Sequence, residues 1–273
     1  MKTLYISDLD GTLLGQDATL MKNTVDGLNE LIEKGLNFSV ATARTNATVV
    51  KMLQDVNISI PVILMNGVTV YDIKKQEYIL TENISDAGKQ ALLDNIRKHL
   101  GTGFIYCIDD NTLSAYYENA DSPSAIAFIE ERERLYNKKF TKVESFDDCL
   151  DKNIVYYSID DKKEKLEKAY DALKNCSDLH VEFYRDIYNT DHWYLEICSH
   201  TASKKNAVIK LRELMHAETV VSFGDNLNDI PMFEASDESY AVANAKEDVK
   251  NAATGVIDSN INNGVVKYLK TII

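Results

Sequence analysis

The stretch Asp8-Leu9-Asp10-Gly11-Thr12-Leu13-Leu14 (DLDGTLL, residues 8–14) follows directly on the apolar run TLYIS, residues 3–7. Side chains alternate along a strand, so Asp8 and Asp10 would point the same way. Two like charges held that close disfavour one another's ionisation, so something must offset the repulsion. Asp-Gly is also a tight-turn signal, and DLDG alone could close a hairpin. A calcium-binding EF-hand is excluded, because Leu13 stands where that loop needs Gly and Thr19 where it needs Glu. If TLYIS is instead a buried strand, the two acids lie at its carboxyl end, where open α/β sheets bind ligands. The rest of the chain decides between these readings.

Outward from this stretch, short apolar runs alternate with helical patterns. LNFSVAT (36–42) and PVILMN (61–66) read as strands buried on both faces. Between TLYIS and LNFSVAT, Val25, Leu28, Leu31 and Ile32 recur at helical spacing, and Gly35 is placed to end that helix. A second helix is predicted over 46–55, with Val49, Val50 and Leu53 inward. The rhythm returns in TVVSF (219–223) and SYAVA (239–243), with helices over 204–216, 229–235 and 246–253. This alternation predicts an α/β fold with a doubly wound, mostly parallel sheet. The middle differs. GFIYCI, LSAYYE, NIVYYSI, HVEFYR and HWYLEI are strand-like, carry many of the tyrosines, and flank the amphipathic helix KKEKLEKAYDALKNC (162–176). We expect a core domain from 1–82 and 196–273, with an α+β domain inserted over 83–195.

Composition narrows the function classes. The 273 residues carry a formal charge of −13 and no strongly basic stretch, which argues against a nucleic acid or an anionic membrane as main partner. The four cysteines are widely spaced and form no CxxC pair, as expected of free thiols. The five histidines lack metal-ligand spacing. No targeting pattern and no apolar run of about 20 residues are evident, so the expected compartment is the cytoplasm.

Applied to the predicted strands, the carboxyl-end rule gathers unusual residues on one rim. TLYIS ends at Asp8 and Asp10; LNFSVA ends at Thr42, with Arg44 beyond; PVILM ends at Asn66; TVVSF ends in GDNLND, with Asp225, Asn228 and Asp229. Lys204 begins the helix before that last strand. Clustered carboxylates suit a hard cation such as Mg²⁺, whose charge would offset the repulsion between the acids. Thr42, Lys204 and nearby backbone N–H groups could hold a phosphoryl group. An ionised aspartate beside them can attack phosphorus, while a second carboxyl protonates the leaving oxygen and then activates water. Taken singly, each residue has an ordinary structural role: a turn, a helix cap, an exposed lysine. Their coincidence on one sheet edge favours a site.

The chain resembles haloacid-dehalogenase-superfamily hydrolases, and among them Cof-type sugar-phosphatase-like members. The resemblance rests on DLDGT (8–12), Thr42 within ATAR, Lys204 within TASKKNAV, and GDNLND (224–229). LMNG (64–67), WYLEI (193–197), AVANAKEDVKNAA and SNINNGV extend it across the core. One departure is Lys205, where such proteins usually have Gly. The resemblance implies Asp8 as nucleophile and Asp10 as general acid and base. It implies Mg²⁺ on Asp8, the backbone carbonyl of Asp10 and Asp225, supported by Asn228 and Asp229. Thr42 and Lys204 would bind the transferring phosphoryl group. The inserted domain would be a cap that excludes water and selects the substrate. Arg44, Asn66 and Arg185 are candidate substrate contacts.

Three functions follow as expectations. The first is a Mg²⁺-dependent phosphatase of small phosphorylated metabolites, sugar phosphates above all. The second is a phosphomutase or phosphotransferase using the same nucleophile. The third is a non-enzymatic ligand-binding or sensor protein on this fold, against which the full set of acids, Thr and Lys argues.

Overall fold

The computed structural model describes residues 2–120, 123–185 and 191–273. Its elements begin with β1 (Thr3–Ser7), α1 (Lys22–Glu33), β2 (Asn37–Val40), α2 (Asn46–Met52), β3 (Val62–Leu64), β4 (Thr69–Asp72) and β5 (Glu77–Thr81). Then come α3 (Asp86–Asn95), β6 (Phe104–Asp109), β7 (Thr112–Tyr117), α4 (Pro123–Tyr136), β8 (Phe140–Lys142), β9 (Ile154–Asp161), α5 (Lys163–Leu173), β10 (Leu179–Arg185) and β11 (Trp193–Ser199). The chain closes with α6 (Lys204–Met215), β12 (Thr219–Gly224), α7 (Ile230–Glu234), β13 (Glu238–Val242), α8 (Glu247–Ala252), β14 (Gly255–Ile257) and α9 (Gly264–Ile272). Two compact units result: Met1–Leu80 with Ser203–Ile273, and Thr81–Ala202.

In the first unit, five parallel strands run in the order β14-β13-β12-β1-β2. A parallel bridge from Ala41 to Ile63 brings β3 alongside β2. These strands are runs of Val, Ile, Leu and Phe because parallel strands are covered on both faces. Leu4, Ile6, Phe38, Val40, Val220 and Phe223 are buried, together with Leu28 and Leu31 of α1 and Leu269 of α9. The chain leaves β1 towards β2 on one side, while β12, β13 and β14 lie on the other. The β1–β12 seam is therefore the point where the winding reverses, and ligands bind beyond the carboxyl ends at such points. Ser7 lies opposite Phe223 in this register, and the Asp8 amide donates to the Phe223 carbonyl at 2.9 Å. The two acidic segments thus leave neighbouring strands at the same height.

The doubly wound parallel sheet expected from the sequence is present. Some boundaries differ. The third expected strand stops at Leu64, and residues 65–67 form a single turn with left-handed φ angles of 51°, 54° and 99°. The helix expected over 46–55 stops at Met52. The strands β4, β5 and β14 were not anticipated; at three to five residues they are too short to display a period.

In the second unit, six strands run in the order β10-β11-β9-β6-β7-β8, antiparallel except where β8 joins β7. Leu92 and Leu93 of α3 and Leu166, Ala169 and Leu173 of α5 pack with Ile105, Cys107, Ile154, Tyr157, Leu195 and Ile197 from the strands. The Phe104 ring meets Phe128 and Phe140 at centroid distances of 5.3 and 5.5 Å. All four cysteines are free thiols.

One close approach positions the acidic rim. A Cβ on Gly67 would lie 2.1 Å from the Ser203 carbonyl oxygen and 2.8 Å from the Lys204 nitrogen, at φ +99°. Glycine is required on both counts: it tolerates this φ, and it lets the 65–67 turn touch the first turn of α6. Gly67→Ala should therefore destabilise the protein by about 1–3 kcal/mol, read as a lowered thermal midpoint. An unchanged midpoint would contradict the close approach.

Candidate active site

Lys204 is the first residue of α6, whose N-cap Ser203 accepts the Asn206 amide at 3.1 Å. That placement aims its side chain inward, and the residue is only 2% exposed. Its ammonium donates to Asp8 Oδ1 at 2.6 Å and to Asp229 Oδ1 at 2.7 Å. Lys205 turns the other way and pairs with exposed Glu234 at 2.9 Å. Asp229 is wholly buried, and its Oδ2 accepts the backbone N–H groups of Asp225 (2.9 Å) and Asn226 (3.0 Å). The loop after β12 is folded around this one carboxylate. Asp225 is left projecting, held by the Thr12 hydroxyl at 2.9 Å.

Asp8, Asp225 and Asp229 each offer a carboxylate oxygen within 4.8 Å of the others. Among the described residues, Lys204 is the one ammonium paired with these acids. The imbalance appears in their acidities. Burial, reinforced by Asp229, drives the Asp8 carboxyl well above its ordinary pKa although Lys204 opposes it. Burial likewise pushes Asp225 up to about 6, against the stabilising Thr12 bond. Burial works against the Lys204 charge too, yet Asp8 and Asp229 together hold it above the usual lysine value. The cluster lacks positive charge. Oxygen-only donors at this spacing suit a hard divalent cation, since ligands of one octahedral ion with bonds near 2.1 Å lie roughly 3–4.2 Å apart. Asp229 is the poorest ligand of the three, because Lys204 and two amides already take both its oxygens.

The other sequence-predicted residues fall as follows. Asp10 is half exposed and is gripped by Arg44, whose Nε and Nη2 donate to its two oxygens at 2.8 and 2.7 Å. Thr42 is buried after β2, and its Oγ1 accepts the Arg44 amide at 3.2 Å. The Asn228 side chain donates to Asn66 Oδ1 at 3.3 Å. Arg185 is exposed at the end of β10 in the other unit. Sequence reasoning attached no role to Thr12, Gly11 or Asn244. Gly11 stands at φ +79°, and a Cβ there would meet the Asp225 carboxylate at 2.4 Å. Asn244 donates to the Gly11 carbonyl at 2.7 Å and its Oδ1 accepts the Asn260 amide at 3.0 Å, tying the tail of the unit to the 8–14 loop. Their only signal in the sequence was membership in segments already noted for resemblance.

A parallel sheet whose neighbouring strands β1 and β12 end in an acid cluster, served by one buried lysine, defines an α/β protein with a candidate metal site at its switch point. The chain belongs to the haloacid dehalogenase-like hydrolase family, whose pattern matches residues 5–269. It is 26% identical over 290 residues to the Bacillus subtilis 5-amino-6-(5-phospho-D-ribitylamino)uracil phosphatase YwtE, covering 98% of this chain and 97% of that protein. It is also 26% identical over 272 residues to the Escherichia coli pyridoxal phosphate phosphatase YbhA, covering 96% and 95%. The crystal structure of TM0651 from Thermotoga maritima superposes with a TM-score of 0.81 at 25% identity, over 100% of this chain and 98% of that one. With such relatives along its whole length, the protein is an enzyme of the phosphatase class. Among the described residues, no helix is long and apolar enough to cross a membrane.

The raised Asp225 pKa sets a pH dependence. Its folded value of about 6 exceeds the ordinary 3.8, so the metal-free protein holds this proton until the pH rises past about 6. A cation must displace the proton, so divalent-ion affinity should fall as pH drops below about 6, by up to roughly tenfold per unit for each proton released. Calorimetric titration with Mg²⁺ across pH 5–8 checks this; a flat affinity would refute it.

Proposed function

We propose that the protein is a Mg²⁺-dependent phosphatase that hydrolyses small phosphorylated metabolites, sugar phosphates foremost, through an aspartyl phosphate on Asp8. The observation that carries this is the buried Lys204 bridging Asp8 and Asp229 with Asp225 in reach of the same ion. Such an array holds a carboxylate ready beside concentrated charge, which suits phosphoryl transfer and wastes burial energy in a mere binder. The relatives' names point to the same substrate class: one is named for a phosphoribityl compound, the other for pyridoxal phosphate.

Lys204 occupies Asp8 Oδ1, so Oδ2 attacks phosphorus. The bond from phosphorus to the substrate oxygen breaks, and Asp10 protonates that oxygen as it leaves. Of the three ammonium protons on Lys204, two serve Asp8 and Asp229, and the third is free to face a phosphoryl oxygen. The Thr42 hydroxyl donates to another. When bound by Asp8, Asp225 and the Asp10 carbonyl, Mg²⁺ would supply the positive charge that the cluster lacks. Asn228 and Asp229 keep the loop in place. Water then takes the place of the leaving alcohol and frees orthophosphate. Residues 81–202, with Arg185, and the rim residues Arg44 and Asn66 select the substrate. We further propose that it acts in the cytoplasm, on diffusible substrates.

A panel of sugar phosphates, nucleotides and phosphorylated cofactors, assayed for orthophosphate release, tests the proposal. EDTA should stop turnover and Mg²⁺ restore it. Asp8→Asn should lower kcat by at least about a thousandfold without lowering the thermal midpoint, because ionised Asp8 is itself destabilised by burial. Near-normal turnover in this variant would end the nucleophile assignment. Phosphoryl transfer to an added alcohol in preference to water would instead make the protein a phosphotransferase.

A further inference from the structure

The cation assigned above draws on two loops that leave different strands, 8–14 after β1 and 225–229 after β12. A third loop braces them. β13 runs parallel to β12 with Ala241 opposite Gly224, so the chain leaving β13 emerges at the same height. There the Lys246 amide donates to the Asp225 carbonyl at 3.1 Å, and the Asn244 side chain donates to the Gly11 carbonyl at 2.7 Å. Residues 244–246 thus touch both acidic loops. Asn244 is itself held, because its Oδ1 accepts the Asn260 amide at 3.0 Å. Asn260 reaches the first loop at a second point, donating from Nδ2 to the Leu14 carbonyl at 2.8 Å.

The place that Asn244 grips is the weak point of its loop. The amides of Thr12, Leu13 and Leu14 all converge on the Leu9 carbonyl, at 3.3, 3.0 and 2.9 Å. Between that knot and the Asp10 carbonyl lies Gly11, at φ +79° beside the Asp225 carboxylate. Glycine lacks the Cβ that would restrict its torsions, so it cannot by itself fix the Asp10 peptide relative to Asp225. A donor on the next carbonyl supplies that restraint from outside. The two hard cations differ in how much they need it. Mg²⁺ accepts only near-ideal octahedral geometry, whereas Ca²⁺ takes about six to eight oxygens in flexible arrangements. We propose that Asn244 is a positioning residue for the divalent ion, holding the Asp10 carbonyl against Asp225 so that the pair is matched to an ion as small and exacting as Mg²⁺. The proposal rests on the metal assigned in the phosphatase reading and adds to it a residue outside the ligand set.

Calorimetric titration of the whole protein with Mg²⁺ and with Ca²⁺, beside thermal midpoints taken without metal, tests this. Asn244 is exposed, so Asn244→Ala opens no cavity in the core and should fold. In that variant Mg²⁺ affinity should fall on the order of tenfold and Ca²⁺ affinity clearly less, so the ratio of the two shifts towards Ca²⁺. Asn244→Ser, whose hydroxyl is too short to reach Gly11, should behave the same way. Asn260→Ala keeps the backbone amide on Asn244 and loses only the Leu14 bond. It should lower the thermal midpoint, since Asn260 is buried, yet leave Mg²⁺ affinity near that of the unaltered protein. Unchanged Mg²⁺ affinity in the Asn244 variants would overturn the proposal. Equal losses for the two ions, or the same loss in Asn260→Ala, would also overturn it and reduce Asn244 to a strut of its loop. An unaltered protein that binds neither ion would sink the metal assignment itself, and this proposal with it. Binding that is indifferent to Asn244 would end the proposal and leave that assignment standing.

Discussion

Two carboxylates, Asp8 and Asp229, share one buried ammonium at the seam between β1 and β12 with a third, Asp225, close beside them, and much of the first unit is arranged around that cluster. Removing charge from water costs several kcal/mol per ion, and a single lysine cannot repay that for Asp8, Asp225 and Asp229 together. The protein satisfies one of them fully. Asp229 receives Lys204 and two backbone amides, and so serves as the fixed anchor of its loop. Asp8 and Asp225 remain under-compensated, with pKa values raised by burial. An electrostatic deficit held in place by a rigid sheet is what a divalent ion and a phosphoryl group can exploit, because the site need not reorganise when they arrive.

The scaffold achieves this through close approaches that tolerate no side chain. Gly67 lets the turn after β3 abut the Ser203–Lys204 peptide, and Gly11 leaves room for the Asp225 carboxylate. The left-handed angles at Met65 and Asn66 belong to the same junction, since strained backbone persists only where its surroundings over-determine it. Parallel pairing does the rest. Strands in register deliver their carboxyl ends at one level, so segments more than 200 residues apart in the chain, at Thr12 and Asp225, meet within 2.9 Å.

The pattern of acids was legible because chemistry and periodicity agreed there. DLDGT and GDNLND each follow an apolar run short enough to be a buried strand, and the rule for open sheets puts both on one edge. Other features lay beyond that logic. Nothing in the spacing of Asp10 and Arg44 announces a bidentate pair, because 34 residues separate them and their meeting depends on how two loops turn. Asp229 read as a supporting residue, whereas burial makes it the anchor of its loop. Lys204 and Lys205 are neighbours of identical charge; only the phase of α6 turns one into the interior and the other towards Glu234. The short strands β4, β5 and β14 escaped notice because pairing rather than intrinsic preference creates them.

The amino-acid sequence by itself determined the alternation of strands and helices, the parallel sheet that alternation demands, and the oxygen-rich character of the residues at its edge. These depend on local periodicity and side-chain chemistry, which survive without coordinates. Tertiary structure alone decided which lysine is buried, which acid is pinned and which stands free, and whom Arg44 holds. Those outcomes turn on burial and on ångström-scale distances between loops, and the energy of a charge in a protein changes steeply with both.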